Sequence, residues 1–401
     1  MKILVLNCGS SSLKYQLFDM EKETVMAKGL VEKIGLEGSR LVHQPAGQDK
    51  IKMPDHIPDH NVAIELVTKA LIDPKHGVIK DMKEIDAVGH RTIHGGSAFS
   101  GSVIINEDVM DVLTKLVELA PLHNPPSILG IRACQAKMPD AVMVGVFDTA
   151  FHQTMPPKAY LYGLPYEYYE KYGVRRYGFH GTSHRYVSAR VAELCGKPFD
   201  QMKIITCHLG NGSSLAAIEG GKVIDTSMGF TPLAGIIMGT RCGSIDPAII
   251  PILMDKEGLD TAAINDILNK KSGLLGLSGV SSDMRLIEEA AAGGNERAKI
   301  ALEVFNKMVL QYIGAYAAEM NGVDAIVFTA GIGENGPETR QHICEQLTFL
   351  GLEFDEVANN CRGKEVEITK PGSKVRIFVV PTNEELMIAR DAKTLAEATK
   401  K

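Results

Sequence analysis

Several features are missing from this 401-residue sequence, and each absence narrows the classes of protein that it fits. No run reaches the roughly 18 apolar residues that a membrane-spanning helix needs. Asn7 interrupts the first apolar run too early for a signal-peptide core, so no membrane anchor or secretion signal is expected. There is no basic excess either, because the net charge is −6 at pH 7. A nucleic-acid partner, which needs a basic surface, is therefore not expected.

Paired cysteines and the best-known nucleotide motif are also missing. The seven cysteines are odd in number and scattered, and none forms a Cys-x-x-Cys pair. This pattern indicates reduced thiols in a cytoplasmic protein. No G-x-x-x-x-G-K-[ST] motif is present, which excludes a P-loop NTPase. Any anionic substrate of this acidic chain must be attracted by a local cluster of cations.

Short apolar runs alternate with amphipathic helical stripes along the chain, which predicts an α/β fold. The length favours two domains. Residues 149–177 are rich in Pro, Gly and Tyr and suggest a boundary near 150. We expect a first domain over residues 1–150 that is completed by a terminal helix over 385–401, and a second domain over 151–384.

The first 20 residues predict a strand, a turn of small residues and a second strand. The turn, NCGSSS at 7–12, offers many backbone N–H groups to a phosphate, although taken alone it is better explained as an ordinary serine-rich hairpin. The pattern returns as ITCHLGNGSSLAAI at 205–218. A repeat at half the chain length suggests two related domains with a ligand held between them.

A third small-residue segment, GIGENG at 331–336, follows an apolar run and precedes a predicted helix. It matches the G-x-G-x-x-G pattern, but a dinucleotide fold carries that motif in its first βα turn and not this late. A phosphate or nucleotide loop at a helix N-terminus remains favoured. A plain turn between strand and helix stays open as the alternative.

Cationic and acidic residues occupy other predicted strand ends. Five lie in loops rich in Gly or Pro: Arg91, His123, His180, His208 and Arg241. They would offset the negative charge where a phosphoryl group enters, although a loop arginine is more often a solvated surface residue. Asp148 and Glu384 follow apolar strands and suit Mg²⁺. Helix N-capping is the alternative for Glu384 and Asp283.

Two segments carry a family resemblance: VLNCGSSSLK at 5–14 and GFHGTSHRYV at 178–187. With them, essentially the whole chain resembles the acetokinase family of the acetate and sugar kinase/Hsp70/actin superfamily. The resemblance implies two duplicated ribonuclease-H-like (actin-like ATPase) domains with an interdomain cleft. It also implies a homodimer.

The resemblance implies site residues as well. The implied metal site, for Mg²⁺ with Mn²⁺ as an alternative, is Asn7, Asp148 and Glu384. The implied catalytic set is Arg91, His123, Asp148, His180 and Arg241. The implied pocket for the substrate methyl group is Ile93, Leu122, Phe179 and Pro232, with Arg91 on the carboxylate. The implied ATP and ADP contacts are Ser10, Ser12, Lys14, His208, Leu209, Gly210, Asn211, Gly212, Asp283, Met284, Arg285, Gly331, Ile332, Gly333, Glu334 and Asn335.

The implied reaction is reversible transfer of the ATP γ-phosphoryl group to acetate, in line and without a covalent enzyme intermediate. A carboxylate acceptor is ionised at pH 7 and needs no general base, so Asp148 is expected to bind metal or water. Many family members carry Val where this chain has Ile93. The extra methylene should favour acetate over propionate by about 1–3 kcal/mol.

Two alternatives remain open at this stage: a propionate or butyrate kinase on the same scaffold, and an actin-like or Hsp70-like ATPase without an acceptor. Within the kinase hypothesis, the two repeated turns are expected to divide their work. The first would face the phosphoryl group in transit and the second would hold the ADP phosphates. Alignment on Ser-Ser-Leu matches Ser10, Ser12 and Lys14 with Gly212, Ser214 and Ala216.

Overall fold

The computed structural model describes residues 1–121 and 124–399. The chain divides into two compact units. Unit 1 comprises Met1–Phe151 and Asn383–Lys401, and unit 2 comprises His152–Thr382. Both ends of this sequence therefore belong to unit 1, and unit 2 is one continuous stretch between the two segments of unit 1.

Strands and helices alternate along both units. The strands are β1 Lys2–Cys8, β2 Ser12–Asp19, β3 Thr24–Glu32, β4 Arg40–Pro45, β5 Ile51–Pro54, β6 Ala87–Thr92, β7 Val103–Ile104, β8 Val142–Phe147, β9 Lys203–Leu209, β10 Ser213–Glu219, β11 Lys222–Thr226, β12 Ala325–Thr329, β13 Val366–Glu367 and β14 Arg376–Val379. The helices are α1 His60–Leu71, α2 Glu107–Lys115, α3 Asn124–Lys137, α4 Pro157–Tyr160, α5 Tyr166–Tyr172, α6 Gly181–Cys195, α7 Ile249–Glu257, α8 Thr261–Lys270, α9 Gly273–Ser278, α10 Met284–Ala292, α11 Glu296–Glu319, α12 Ala330–Asn335, α13 Pro337–Cys344, α14 Glu356–Asn359 and α15 Glu384–Thr399.

Unit 1 is built on a sheet whose described strands run in the order β5-β4-β3-β2-β1-β6-β8-β7. Strand residues alternate between its two faces, because successive side chains of a strand point in opposite directions. Leu4 and Leu6 share a core with α1 and α3, whereas Ile3 and Val5 share a second core with α15. The last helix of the chain thus completes the fold of the first strand.

Unit 2 is built on a second sheet, with its described strands in the order β11-β10-β9-β12-β14-β13. Its largest core packs Ile205, Cys207 and Leu209 of β9 against the long helix α11. Phe305 and Ile313 of α11 are fully buried there. Burial of such side chains stabilises each by about 1.5–3 kcal/mol, so this helix fixes one face of the sheet.

The two sheets share one core arrangement. The order β3-β2-β1-β6-β8 of unit 1 recurs as β11-β10-β9-β12-β14 in unit 2. In each set the first strand pairs are antiparallel, as in β1 with β2, and the later pairs are parallel, as in β1 with β6. This recurrence confirms the predicted α/β class and the duplication read from the repeated hairpins.

One local prediction was wrong. The segment GIGENG at 331–336 was expected to form a turn before a helix, but α12 occupies Ala330–Asn335 as a short helix of its own. Ala330 starts it at φ 65°, a left-handed conformation that side chains rarely adopt. The left-handed residue that joins β12 to α12 is therefore an alanine and not a glycine.

No helix within residues 1–121 and 124–399 is both long and apolar enough to cross a membrane.

Candidate active site

An ion pair between two neighbouring strands forms the centre of the site in unit 1. Arg91 lies in β6 and Asp148 follows β8, which runs parallel to β6. Nε of Arg91 donates to one carboxylate oxygen of Asp148 at 3.0 Å, and Nη2 donates to the other at 2.7 Å. Such a bidentate pair fixes the guanidinium plane. Asp148 therefore orients Arg91.

Glu384 is the third charged group of this cluster. Its Oε2 atom lies 3.8 Å from Nε of Arg91. That oxygen is buried and accepts no hydrogen bond from the described residues. Burial raises the pKa of Glu384 to about 7, an effect that Arg91 opposes and Asp148 reinforces. Burial also acts to lower the pKa of Arg91, but the two carboxylates outweigh it and keep Arg91 cationic.

These residues fit a hydrated Mg²⁺ ion, which prefers oxygen ligands and needs only one or two protein carboxylates. Oε2 of Glu384 is buried without a hydrogen-bond donor among the described residues and could accept a cation, whereas both oxygens of Asp148 already accept hydrogen bonds from Arg91. Asn7 pairs with Arg91 in the sheet register and would add an amide oxygen. Within the described residues no group of three or more His, Cys, Asp or Glu could hold a metal, so the predicted site rests on these two carboxylates.

The first hairpin turn is held by a histidine that the sequence reasoning missed. Nε2 of His60, at the start of α1, lies 2.8 Å from the carbonyl oxygen of Gly9. The N–H of Gly9 in turn donates to the carbonyl of Ser12 at 2.8 Å. His60 is 6% exposed. It ties the turn that carries Ser10 and Ser12 to the helix layer, and no motif in the sequence pointed to it.

In unit 2 a chain of hydrogen bonds runs from the sheet to His180. Oγ of Ser214 lies 2.9 Å from Nδ1 of His180 and 2.8 Å from Nε2 of His184. Nδ1 of His184 lies 2.6 Å from Oγ1 of Thr206. Ser214, His184 and Thr206 are fully buried. The signal for His184 was its position four residues after His180, the N-cap of α6, and the sequence reasoning left it unused.

The distances favour one direction of donation along these hydrogen bonds, from Thr206 through His184 and Ser214 to His180. Burial, together with neighbouring His152 and His208, lowers the pKa of His184, so it carries a single ring proton. If Thr206 donates to His184, then His184 donates to Ser214 and Ser214 donates to His180. The reverse order would send the Thr206 hydroxyl proton to the carbonyl of Ala216 at 3.5 Å, which is a poor distance. The favoured order leaves a proton on Nε2 of His180 as a donor.

Nε2 of His180 faces the second hairpin turn and Arg241. A Cβ placed on Gly212 would lie 3.4 Å from Nε2 of His180 and 3.6 Å from Nη1 of Arg241. Nη1 of Arg241 donates to the carbonyl of Pro232 at 3.0 Å. Burial lowers the pKa of Arg241, and no carboxylate among the described residues forms an ion pair with it. The structure thus brings His180, Gly212 and Pro232 together around Arg241. Arg241 is a cation without a carboxylate partner among the described residues.

His208 stacks on His180, with ring centroids 4.1 Å apart. Its Nδ1 atom lies 2.8 Å from Oγ of Ser183, which lies 2.8 Å from Oγ1 of Thr382. The second histidine is therefore held by its own hydroxyl pair, separate from the Ser214 chain.

A cavity of about 680 Å³ in unit 2 gathers half of the predicted nucleotide residues. The predicted residues that line it are Gly210, Asn211, Asp283, Met284, Arg285, Gly331, Ile332 and Asn335. Four further lining residues were missed: Ser282, Glu288, Gly336 and Arg362. The cavity mouth is ordered by Asp283, which caps α10 and also pairs with Arg285 at 2.7 Å. The N-capping alternative for Asp283 is therefore correct, and it does not remove Asp283 from the cavity.

Other residues of the predicted nucleotide set do not line this cavity. Leu209 packs in the core of unit 2, because its position in β9 faces α11. Oε1 of Glu334 accepts from the backbone N–H groups of Ala330 and Thr382. Gly333 packs under β12, and its carbonyl accepts from the buried Arg340 at 2.8 Å. Arg340 thereby fixes α12 from beneath.

The place of Asn211, which lines the cavity, depends on a glycine at 239. A Cβ at that position would lie 2.0 Å from Oδ1 of Asn211. Any larger residue would therefore displace the Asn211 side chain from its place in the turn.

The sequence model of the acetokinase family matches residues 2–390. The chain belongs to the acetokinase family. Acetate kinase of Carboxydothermus hydrogenoformans is 63% identical over 391 residues, which cover 98% of either chain. The crystal structure of Porphyromonas gingivalis acetate kinase is 52% identical and matches with a TM-score of 0.95 over 98% of this chain and 99% of that one. A propionate kinase structure from Francisella tularensis is 42% identical with a TM-score of 0.91, over the same shares of the two chains.

For this member of the acetokinase family, two predicted site residues lie outside the described part of the chain: Leu122 and His123. The other predicted pocket residues are divided between the units, with Ile93 in unit 1 and Phe179 and Pro232 in unit 2. The pocket for the substrate methyl group stays a prediction.

Proposed function

We propose that this chain is an acetate kinase, which transfers the γ-phosphoryl group of ATP reversibly to acetate and yields acetyl phosphate and ADP. Support comes from the acetokinase family match over residues 2–390 and from relatives named acetate kinase at about 60% identity. The nucleotide is assigned to the 680 Å³ cavity of unit 2.

The observation that carries the proposal is the environment of Arg241. A partly buried guanidinium without a carboxylate partner in the described residues is costly unless an anion binds it. It lies beside His180 and the Gly210–Gly212 turn, whose backbone N–H groups also suit phosphate oxygens. Phosphoryl transfer to a carboxylate brings several anionic oxygens to one place, and this cluster supplies the matching donors.

In the proposed mechanism the protein positions and neutralises charge, and it does not remove a proton. Arg91 and Arg241 stabilise the negative charge on the equatorial oxygens of the transferring phosphoryl group. His180 donates from Nε2, since the Ser214 chain leaves its proton there. The acetate carboxylate is already ionised near pH 7 and attacks directly. Asp148 acts by holding Arg91 in the plane that these contacts require.

A bound Mg²⁺ would be held by Asp148 and Glu384 with Asn7, and it would neutralise phosphate charge.

Acceptor dependence tests the proposal. Purified protein is incubated with MgATP and acetate in the presence of hydroxylamine, which traps acyl phosphates as hydroxamates. We expect hydroxamate to form with acetate in a one-to-one ratio with ADP, and ADP formation to stop without acetate. ADP release without trapped product would instead indicate an ATPase without an acceptor.

Propionate kinase is the second candidate, because a propionate kinase structure is similar over nearly the whole chain. The same assay with propionate in place of acetate separates the two. We expect a lower kcat/KM for propionate, since Ile93 narrows the proposed pocket by a methylene. The expected preference is roughly tenfold or more, the lower end of what one methylene contributes.

We also propose a homodimer in the cytoplasm. Support for an interface comes from exposed aromatic and aliphatic side chains near α5: Leu164, Tyr166 and Tyr172 are 56%, 58% and 55% exposed. Aromatic residues are enriched at the centres of protein interfaces. Light scattering on the purified chain tests the dimer, and replacing Tyr166 and Tyr172 with Ser should shift it toward the monomer.

A further inference from the structure

A groove on the open face of the unit 1 sheet extends from the candidate active site over strands that have no part in the reaction described so far. Helix α15 covers this face over β1, β2, β6 and β8, where it packs on Val5, Phe18 and Val144. Beyond it lies a groove of about 590 Å³ along β2 to β5. Its inner end is formed by Asn7, Lys14, Arg91 and Glu384, the residues of the candidate active site.

Strand register shows how the groove is laid out. Lys14 pairs with Leu30, Leu30 pairs with Val42, and Val42 pairs with Lys52. Paired residues share a face, so these four side chains form one row across the sheet. Lys14 and Lys52 stand at the two ends, three strand spacings or about 14 Å apart at the backbone.

A second row lies beside the first. Gln16 pairs with Lys28, and Lys28 pairs with Gln44. The two amide side chains offer hydrogen bonds on either side of a central lysine. Lys50 also lines the groove near its outer end.

The charges in the groove do not cancel. Six cationic residues line it, together with three carboxylates. Of the carboxylates, Glu32 is paired with Arg40 at 2.6 Å, and Glu384 lies beside Arg91. The third is Glu385, at the start of α15. Within the described residues no ion pair or hydrogen bond engages the ammonium groups of Lys28, Lys50 or Lys52.

This local excess of positive charge occurs in a chain whose net charge is −6. Exposed like charges repel one another within about a Debye length, roughly 8–10 Å. Lys28, Lys50 and Lys52 have no carboxylate partner among the described residues, whereas exposed Lys69 pairs with Glu65 at 2.8 Å. Charge complementarity therefore selects the occupant: an anion that carries several negative charges. Its length must bridge lysines on different strands, and a linear phosphate chain does so.

We propose that this groove is a binding site for a small, multiply charged phosphate anion that spans Lys14, Lys28 and Lys52. The occupant is a free metabolite and not a macromolecule, because the groove is short and its inner end stops at α15. Since its inner end is Lys14 beside Arg91, occupancy blocks the approach of the transferring phosphoryl group and inhibits the reaction. This inhibitory consequence rests on the proposed function, whereas the binding itself does not.

Inorganic tripolyphosphate is a suitable probe. Binding is measured by isothermal titration on the full chain saturated with ADP, so that the nucleotide cavity is occupied. Inhibition is measured at saturating ATP with the free Mg²⁺ concentration held fixed. The test variant is Lys28→Gln/Lys52→Gln, and the control is Lys22→Gln/Lys115→Gln, which removes two exposed lysines outside the groove.

We expect the dissociation constant and the inhibition constant to rise about fivefold or more in the test variant and to stay within twofold in the control. Without tripolyphosphate, kcat and the KM for ATP should be unchanged in both. Equal affinities for the wild type and the test variant would overturn the proposal. So would an equal loss in the control, or no binding to the wild type, which would leave the groove to a larger acidic partner. If the chain made no acetyl phosphate at all, the proposed function would fail while the titration still decided the binding site.

Discussion

The hairpins β1–β2 and β9–β10 share one backbone plan and place different chemistry on it. The closing pair is Cys8 with Leu13 in unit 1 and Leu209 with Ser213 in unit 2. The loop between the closing residues is residues 9–12 in the first hairpin and 210–212 in the second. The second turn is therefore one residue shorter.

The two hairpins carry different residues at the next pair of the ladder, one step away from the turn. Asn7 faces Lys14 in unit 1, and His208 faces Ser214 in unit 2. Structural register thus matches Lys14 with Ser214, whereas alignment on Ser-Ser-Leu matched it with Ala216. The two alignments differ by two residues in the second strand, and the shorter second turn accounts for one of them.

Lys14 and Ser214 occupy the same strand position in the two hairpins, but their side chains act in different ways. Lys14 is exposed and presents its charge directly to the groove. Ser214 is fully buried and has no charge, and it acts on His180 through a hydrogen bond. The first hairpin thus offers cations to an anion, while the second orients a neighbouring side chain. Substitutions in the two units test this division.

The largest effect on kcat is expected from Arg91 and Arg241. They do not belong to either hairpin, and the effects of the hairpin substitutions can be compared with theirs. Arg91→Ala and Arg241→Ala should each lower kcat by about 100-fold or more, because each removes charge that stabilises the transition state. Initial rates of hydroxamate formation measure it. Arg132→Ala, which breaks an exposed pair with Glu107, is the control and should leave kcat unchanged. A loss confined to KM would mean that the arginines bind substrate without stabilising the transition state.

The next effect is on stability and belongs to the first unit alone. The pKa of Glu384 is about 7 in the folded chain and near 4.5 when unfolded. The folded state therefore holds a proton that the unfolded state releases as pH rises from 4.5 to 7, and stability is lost across that window. Relative to Glu384→Gln, the wild type should lose up to about 3 kcal/mol of unfolding free energy between pH 5 and 8.

Urea unfolding in metal-free buffer measures this difference. Adding Mg²⁺ at pH 8 should restore stability to the wild type and not to Glu384→Gln, since a bound ligand stabilises the state that binds it. Parallel pH curves for the two proteins would show that Glu384 ionises normally, and an equal response to Mg²⁺ would remove it from the metal site.

Lys14→Ala tests the first hairpin directly. We expect kcat to fall about tenfold, worth roughly 1.4 kcal/mol of transition-state stabilisation, while the KM for ATP stays within twofold. The reason is that Lys14 lies beside Arg91 in unit 1, whereas the nucleotide cavity lies in unit 2. Lys22→Ala, in the exposed turn after β2, is the matched control. A larger effect on KM than on kcat would undo the proposed division of work.

Ser214→Ala tests the second hairpin and should have the smallest effect. Loss of one buried hydroxyl between two histidines costs about 1 kcal/mol, or roughly fivefold in kcat. It should also shift the pH profile of kcat/KM, because His180 loses the donor that fixes its ring proton. Ser188→Ala is the control, since within the described residues that buried hydroxyl donates to the carbonyl of Arg185 in its own helix and to no site residue. An unchanged pH profile in Ser214→Ala would reduce the Ser214 chain to a packing role.

Local periodicity was enough to predict the elements and the duplication. Alternation in residues 2–19 and 203–219 predicted both hairpins, and the repeated turn pointed to two related domains. The cavity of unit 2 also gathers residues that the family resemblance implied, from three separate segments.

Contacts between distant segments could not be predicted from the sequence. The pairing of Arg91 with Asp148 depends on β6 and β8 being neighbours, which no local pattern encodes. The row from Lys14 to Lys52 requires the register of four strands. At 330–335 two glycines suggested a turn, but the buried Arg340 holds the carbonyl of Gly333 and a short helix forms. In each case tertiary contacts decide what local preference leaves open.

The place of α15 has a consequence for synthesis. Unit 2 is one continuous stretch, His152–Thr382, so all of it has been made before α15 is. Unit 1 is different, because Ile3, Val5 and Phe18 pack on Ile388, Ala389 and Ala392. During synthesis on the ribosome, one apolar face of the first strands stays uncovered until α15 has been made. Glu384 is the first residue of the same helix, so unit 1 begins first and is completed last, and the carboxylate proposed to bind metal is made after all of unit 2.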